Sequence, residues 1–340
     1  MIVILSETVI KNQTDYFMGG MHLFSFKSNN GGKKEVESVY NSIKEEAMRY
    51  GYRLQLIDIR HLDDLEREIK TFQQIEELNG FQKWIVNELY DFHVPKLEFQ
   101  VKSIIIMAVY HPMSTDVTFC YAGRNYEAKA LVRAGLDRAR EYLKEGLSRW
   151  GYHAKESYNL PMKRLAVHGG LAVYGRNNIT YVEGLGSNVS YLAFFSDMPC
   201  EEDVWLELKV ADLCAQCKCC IESCPTGAIR EDRFLIDNQK CLSFFNESEG
   251  EFPDWLSKEV HHTLYDCLRC QEHCPLNASV VEDNIDGITF TEEETRMLLQ
   301  GKGPEDFPKE FLNKVEKIDL FKWKNTLSRN MRAIMESKRM

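Results

Sequence analysis

Nine of the eleven cysteines fall between Cys214 and Cys274, and this stretch limits the fold more than any other. CAQCKCCIESCPTGAI sets Cys214, Cys217, Cys220 and Cys224 in the spacing C-x2-C-x2-C-x3-C-P, the run by which a polypeptide holds [4Fe-4S] clusters. Gaps of two residues let three thiolates converge on one cluster from a tight loop. The fourth cysteine, set on the following turn by Pro225, points away towards a second cluster. CLSFFNE then supplies Cys241, and CLRCQEHCP supplies Cys267, Cys270 and Cys274 with the Cys-Pro pair repeated. By the same crossing, Cys274 returns to the first cluster. The expected ligand sets are Cys214, Cys217, Cys220 and Cys274 for one cluster, and Cys224, Cys241, Cys267 and Cys270 for the other. Thiolates also suit zinc, but zinc sites favour paired knuckles over a run of three followed by Cys-Pro. Cys219 falls outside the spacing and reads as a small packed thiol. His111, His168, His261 and His262 show no metal-ligand spacing; the last two read as packing or hydrogen-bonding groups near the second cluster.

The rest of the composition fits a soluble globular chain. The 340 residues are enough for two or three domains, with 44 % apolar and 28 % charged residues. No apolar run approaches the roughly 20 residues that span a bilayer. The N-terminal MIVILSETVIKNQ has no basic region ahead of its apolar stretch, so no secretion signal is read there and the cytoplasm is the expected location. In such a chain clustered cysteines point to metal or redox chemistry, not to a disulfide scaffold. A net charge of −10 weighs against a polyanionic partner. The basic residues Lys33, Lys34, Lys163, Arg164 and those from Lys314 to Arg339 read as solvated faces.

Ahead of the cysteines the pattern is α/β. Lys33 to Tyr50 has helical spacing and Gly51 stops it; Arg53 to Ile59 alternates as a half-buried strand. Ser103 to Tyr110, apolar almost throughout, reads as a central strand. Asn125 to Trp150 reads as one long helix ended by Gly151. The Gly- and Asn-rich HGGLAVYGRNNITYVEGLGSN, followed by the strand VSYLAFFSD, reads as a ligand-binding stretch on a rigid frame. Thr291 and Glu294 are spaced as a capping box. GKGPEDFP then links to basic amphipathic helices.

From these residues a family resemblance follows. CPTGAI, IDNQKCLSF and DCLRCQEHCPLN are similar to the iron–sulfur half of the epoxyqueuosine reductase family, whose wider superfamily includes the reductive dehalogenases. YAGRNYEAKALVR resembles the family's Tyr-Ala-x-Gly-x-Asp-Tyr stretch, with one residue fewer before the glycine and Asn125 in place of Asp. GGLAVYGRNNITYV resembles its Gly-Leu-Gly-Trp-x-Gly-Lys-Asn stretch, and LSRNMRAIM its Arg-Asn segment. The resemblance implies an α/β (α+β) chain: a nitroreductase-like domain that holds cobalamin base-off, followed by a ferredoxin-like module whose two clusters reduce it. The expected division is 1–100, an α/β region; 101–205, the cobalamin and substrate region of the same domain; 206–285, the ferredoxin-like module; and 286–340, a helical tail. The corrin is then expected near Gly170, Tyr174, Asn177, Asn178, Gly186 and Ser187, with Tyr121 and Arg124 contributing.

The departures shape the expected function. The family's Val-Asp-Ser-Ala-Pro segment, which carries its proton donor, is replaced by HAKESYNLPMKRLAV. Reductive cleavage needs a nearby acid, and Glu156 and Tyr158 are the local choices, Tyr158 being favoured. The family's helical-repeat extension, which helps hold tRNA, has no counterpart in the sequence. The leading expectation is a cobalamin-dependent reductase of a small molecule, fed by an external donor such as ferredoxin or flavodoxin. The alternatives are an epoxyqueuosine reductase acting on tRNA and a non-catalytic electron carrier serving a partner such as a corrinoid protein.

Overall fold

The computed structural model describes residues 32–75, 77–132, 135–278, 280 and 285–338. The N-terminal stretch read for a signal, together with Arg133 and Arg339, lies outside them. Strand β2 (Ser103–Tyr110) lies at the centre of an antiparallel sheet, buried along nearly its whole length. Its neighbours are β1 (Tyr52–Asp58) and β8 (Val189–Ser196), and β8 pairs in turn with β5 (Ala154–Ser157). Successive side chains of β2 point to opposite faces, so each face receives its own cover. Ile105, Met107 and Val109 pack with α1 (Gly32–Arg49) and α4 (Leu136–Ser148). Ile104, Ile106 and Ala108 pack with α2 (His61–Phe72) and α5 (Met162–His168). Gly51 and Gly151 follow α1 and α4 with φ of 77°, the left-handed turn that ends a helix cheaply only at glycine.

A second sheet was not expected. Asn125 to Leu131 is extended, not helical. It forms β4 (Arg124–Leu131), a hairpin partner of β3 (Ser114–Tyr121), and helix α4 starts only at Leu136. Tyr126, Ala128 and Ala130 are buried, whereas Asn125 and Glu127 are exposed, a period of two that decides for strand. The turn is Ala122-Gly123, both at positive φ (51° and 72°), as a two-residue hairpin loop requires.

Strand β9 (Ile288–Phe290) adds to β3 in parallel. Helices α9 (Glu292–Leu299), α10 (Lys309–Lys317) and α11 (Lys324–Ser337) close over this sheet, and Phe119, Phe290, Phe311, Val315 and Met331 share one core with Leu264 and Tyr265 of the cysteine module. The C-terminal helices are thus part of a core with the hairpin. Helix α9 begins with the expected capping box: Thr291 Oγ1 accepts from Glu294 N at 3.2 Å, and the Glu294 carboxylate from Thr291 N at 2.7 Å. The chain is α+β throughout, and among the described residues no helix is long and apolar enough to cross a membrane.

Candidate redox site

Two loop–helix segments carry the cysteines. Cys214 lies in a 3-10 turn (Asp212–Ala215), Cys219 and Cys220 open α6 (Cys219–Glu222), and Cys224 follows it. Cys241 is the N-cap of α7 (Leu242–Glu247). Cys267 precedes α8 (Arg269–Glu272), Cys270 lies within it, and Cys274 leads into the turn Pro275–Asn277. Asp266 and Leu268, on either side of Cys267, sit at φ of 59° and 63°, a region that side-chain-bearing residues seldom enter. The fold therefore spends strain to aim this loop.

The thiols gather into two groups. Burial, reinforced by neighbouring Cys274, Cys214 and Cys217, pushes the Cys220 thiol up to about 11. Cys274 is likewise raised, first by burial and then by Cys214 and Cys217. Burial raises Cys270 and Cys267, and both have Cys241 and Cys224 as neighbours; Cys241, buried too, faces Cys224. Cys219 stands apart and bonds to the Cys217 thiol. Buried all-sulfur groups of this kind resist ionisation until a cationic centre supplies the missing charge, whereupon a coordinating thiol loses its proton outright. The donor set therefore fits two iron–sulfur clusters. Polar side chains lie beside three of the sulfurs: Ser243 by Cys241, Asn177 by Cys270 and Tyr181 by Cys274.

A large cavity separates the first sheet's α2–α5 face from the cysteine module. It holds about 2150 Å³ of empty space, its open mouth included. Its walls are mainly apolar, from Ile69, Phe72, Ile85 and Leu160 on one side to Ile229, Ile236 and Leu268 on the other. Cys224, Cys241, Cys267 and Cys270 all border it, and the other four cysteines do not. Asn188, only 1 % exposed, lines the cavity, and neither of its amide atoms has a hydrogen-bond partner among the described residues. Leaving a buried amide unpaired is costly. An amide-bearing ligand restores both bonds, so a corrin, flat and fringed with carboxamides, fits this space and this orphaned group.

The residues expected at the corrin divide. Tyr174, Asn177, Asn178 and Ser187 line the cavity, as does Tyr158. Gly186 lies behind its wall, where a Cβ would collide with the Asn277 side chain. Asn277 there accepts from Ser187 N at 2.8 Å and donates to Ser187 Oγ at 2.9 Å, joining the Gly/Asn-rich stretch to the cysteine module. Tyr121 and Arg124 are the last pair of the β3–β4 hairpin, in the other sheet, and do not reach the cavity. Gly170 turns beside Val204 and Leu206, also away from it. Glu156 is no open acid. Buried on β5, it accepts from Arg140 Nε at 2.8 and 3.0 Å and from the Tyr158 hydroxyl at 2.9 Å. Tyr158 thus presents its ring to the cavity and its proton to Glu156.

Asn188 escaped the sequence reading, and Lys163 and Arg164 were read as a solvated face. The latter two line the cavity instead: Arg164 pairs with Glu68, while Lys163 Nζ donates to the Asn178 carbonyl at 3.1 Å, and burial lowers its pKa against the opposing pull of Cys270 and Asp266. One signal was present. Lys163 stands in the first turn of α5, where the helix dipole disfavours a cation.

Around this site, His261 gives a pH dependence that can be measured. Burial, then Arg329 and His262, lower its pKa from 6.5 to about 4. The unfolded imidazole takes its proton near 6.5, the folded one only near 4. Stability is therefore full above pH 6.5 and falls as the pH drops from there through about 4, by roughly 2–3 kcal/mol. Thermal midpoints at pH 7 and pH 5 should differ less in His261→Leu than in the parent; equal differences would remove His261 as the cause.

Residues 213–277 match the 4Fe-4S double cluster binding domain. An epoxyqueuosine reductase from Cellulophaga algicola is 25 % identical over 208 residues, 58 % of this chain and 66 % of that protein, so the match spans just under two thirds of the relative's length. The epoxyqueuosine reductase structure from Bacillus subtilis superposes with a TM-score of 0.60 at 20 % identity, over 89 % of this chain and 82 % of that one. A structure of epoxyqueuosine reductase with an epoxyqueuosine-modified tRNA stem loop gives 0.60 at 19 % identity, with the same coverage. In its fold and its double-cluster segment this iron–sulfur chain is similar to the epoxyqueuosine reductases, and the sequence match reaches beyond the cysteines.

Proposed function

We propose that the chain is a corrinoid-dependent reductase in which electrons enter at a first [4Fe-4S] cluster on Cys214, Cys217, Cys220 and Cys274. They pass to a second on Cys224, Cys241, Cys267 and Cys270, and leave into the cavity. One observation carries this reading: the four cysteines bordering the cavity are one complete group and the four away from it are the other. A cobalamin bound base-off would supply the low-potential reducing centre there. Asn188 would pair with one of its amides, Tyr174 and Asn178 would border it, and the apolar walls would exclude water.

The substrate proposed first is epoxyqueuosine in tRNA. The sequence alone ranked this second to a small molecule; the relatives, one of them a complex with a modified tRNA stem loop, reverse the order. The small-molecule reading keeps one observation in its favour, the replacement of the family's aspartate segment by Tyr158-Asn159-Leu160-Pro161. With Glu156 held by Arg140, we assign Lys163 as the source of a proton for the departing oxygen. Its lowered pKa makes it a better acid than an exposed lysine. Lys163→Met should lose about 10²-fold or more in turnover with iron and corrinoid content unchanged; unaltered turnover would return the role to Tyr158.

The test is anaerobic. Protein with reconstituted clusters is mixed with hydroxocobalamin, freed of excess, and examined by absorption and EPR. It is then given epoxyqueuosine-containing tRNA and a strong reductant. Stoichiometric base-off corrinoid and conversion to queuosine support the whole reading. Bound corrinoid without conversion moves the weight to a smaller substrate, and two clusters without bound corrinoid favour an electron carrier.

A further inference from the structure

Asn177 and Tyr181 belong to the Gly/Asn-rich hairpin of β6 (Ala172–Tyr174) and β7 (Thr180–Val182), yet their side chains end among the cysteines. Both are buried, at 2 % and 4 % exposure. Asn177 Oδ1 accepts from Ile179 N at 3.2 Å, which turns the amide so that Nδ2 faces the module. Nδ2 donates to Tyr181 Oη at 2.9 Å and to the Cys270 carbonyl at 3.1 Å, and it also reaches the Cys270 thiol. The Tyr181 hydroxyl lies beside the Cys274 thiol. One hydrogen-bonded pair thus touches a cysteine of each group. Gly175 makes room for it: a Cβ there would lie 2.6 Å from both Asn177 Oδ1 and the Tyr181 ring.

We propose that Asn177 and Tyr181 set the reduction potentials of the two clusters from outside the cysteine module, Tyr181 through Cys274 and Asn177 through Cys270. This rests on the cluster assignment above. An electron added to a cluster increases the negative charge on its thiolates, and a donor aimed at a thiolate stabilises that charge and raises the potential. Both residues are positioning groups, since they act through the cysteines. Asn177 also lines the cavity, which places the potential of the nearer cluster under the influence of whatever fills it.

The test is an EPR-monitored redox titration of the reconstituted full chain, after iron and sulfide analysis. Tyr181→Phe should move one of the two midpoints to a more negative potential and leave the other in place. Asn177→Leu should chiefly move the midpoint that Tyr181→Phe leaves alone. Two clusters in all three proteins with unchanged midpoints would overturn this inference and spare the cluster reading. So would both variants moving the same midpoint. A parent protein with iron for fewer than two clusters would overturn the cluster reading and this inference with it. If Tyr181→Phe alone loses a cluster, Tyr181 is needed to build the site and not to tune it, and the inference fails for that residue.

Discussion

Cys274→Ala should halve the iron content of the reconstituted protein and leave the same EPR signal as Cys217→Ala, although the two cysteines lie in different runs. Cys224→Ala should instead match Cys270→Ala. The expectation follows from the grouping of thiols: Cys274 lies with Cys214 and Cys217, and Cys224 with Cys241, Cys267 and Cys270. A cluster stripped of one thiolate loses a quarter of its anchorage and exposes an open iron, so each variant is expected to lose one cluster entirely. Reduction of any substrate should stop in all four if the electron path is serial, as proposed above. The variants differ in what remains. Loss of the set around Cys274 leaves the cluster beside the cavity, still reducible by a small chemical donor. Loss of the set around Cys224 leaves a cluster with no neighbour to pass its electron to. If Cys274→Ala instead resembles Cys270→Ala, the chain holds its clusters uncrossed and the proposed ligand sets are wrong.

The second large effect is on stability. Asn330, 1 % exposed on α11, donates through Nδ2 to the carbonyls of Asn246 and Leu264 at 2.7 and 2.8 Å. Its Oδ1 accepts from the Arg329 guanidinium at 3.2 and 3.0 Å. Arg329 in turn donates to the carbonyls of Ser248, Gly250 and Phe245, at the end of α7. The helix that begins at Cys241 is thus held at its far end by the C-terminal helix. Asn330→Ala leaves two buried carbonyls without a donor, which costs about 3 kcal/mol. The thermal midpoint should fall by about 5 °C or more, and iron should be lost faster to a chelator. A midpoint within a degree of the parent, with unaltered iron loss, would show that water replaces the amide.

Legibility in the sequence followed how many signals coincided. Ser103 to Tyr110 was readable because a strand covered on both faces needs apolar residues at every position. The capping box was readable because Thr291 and Glu294 need only local chemistry. The double-cluster segment was readable because its cysteine spacing is itself the signal. The β3–β4 hairpin was not: its turn is Ala-Gly, and alanine at positive φ is rare enough that the turn gave no warning. The helical spacing of Ala139, Tyr142, Leu143 and Leu147 belongs to the real helix behind the strand, and the reading extended it too far towards the N-terminus.

At the cavity, the glycines and asparagines were visible as a stretch, but which of them faced the ligand was not. Gly170, Tyr121 and Arg124 lie elsewhere because the turns between them decide direction, and turns carry little pattern. Glu156 could not be excluded as an acid without Arg140, which lies on α4, 16 residues away in the sequence. Asn188 gains its meaning only from the partners its amide lacks, and Lys163 only from its place in the cavity wall.

The crossed grouping also bears on how the chain is made. As the polypeptide leaves the ribosome, Cys214, Cys217 and Cys220 emerge as three ligands of a set that cannot be completed until Cys274 follows. Cys224 waits in the same way for Cys241, Cys267 and Cys270. With the ligand sets proposed here, neither site can be filled early. The second set becomes complete at residue 270 and the first at residue 274. The whole segment must therefore be out and folded back on itself before cofactor delivery can succeed, and a scaffold protein that hands over clusters would meet both sites open together, never one at a time.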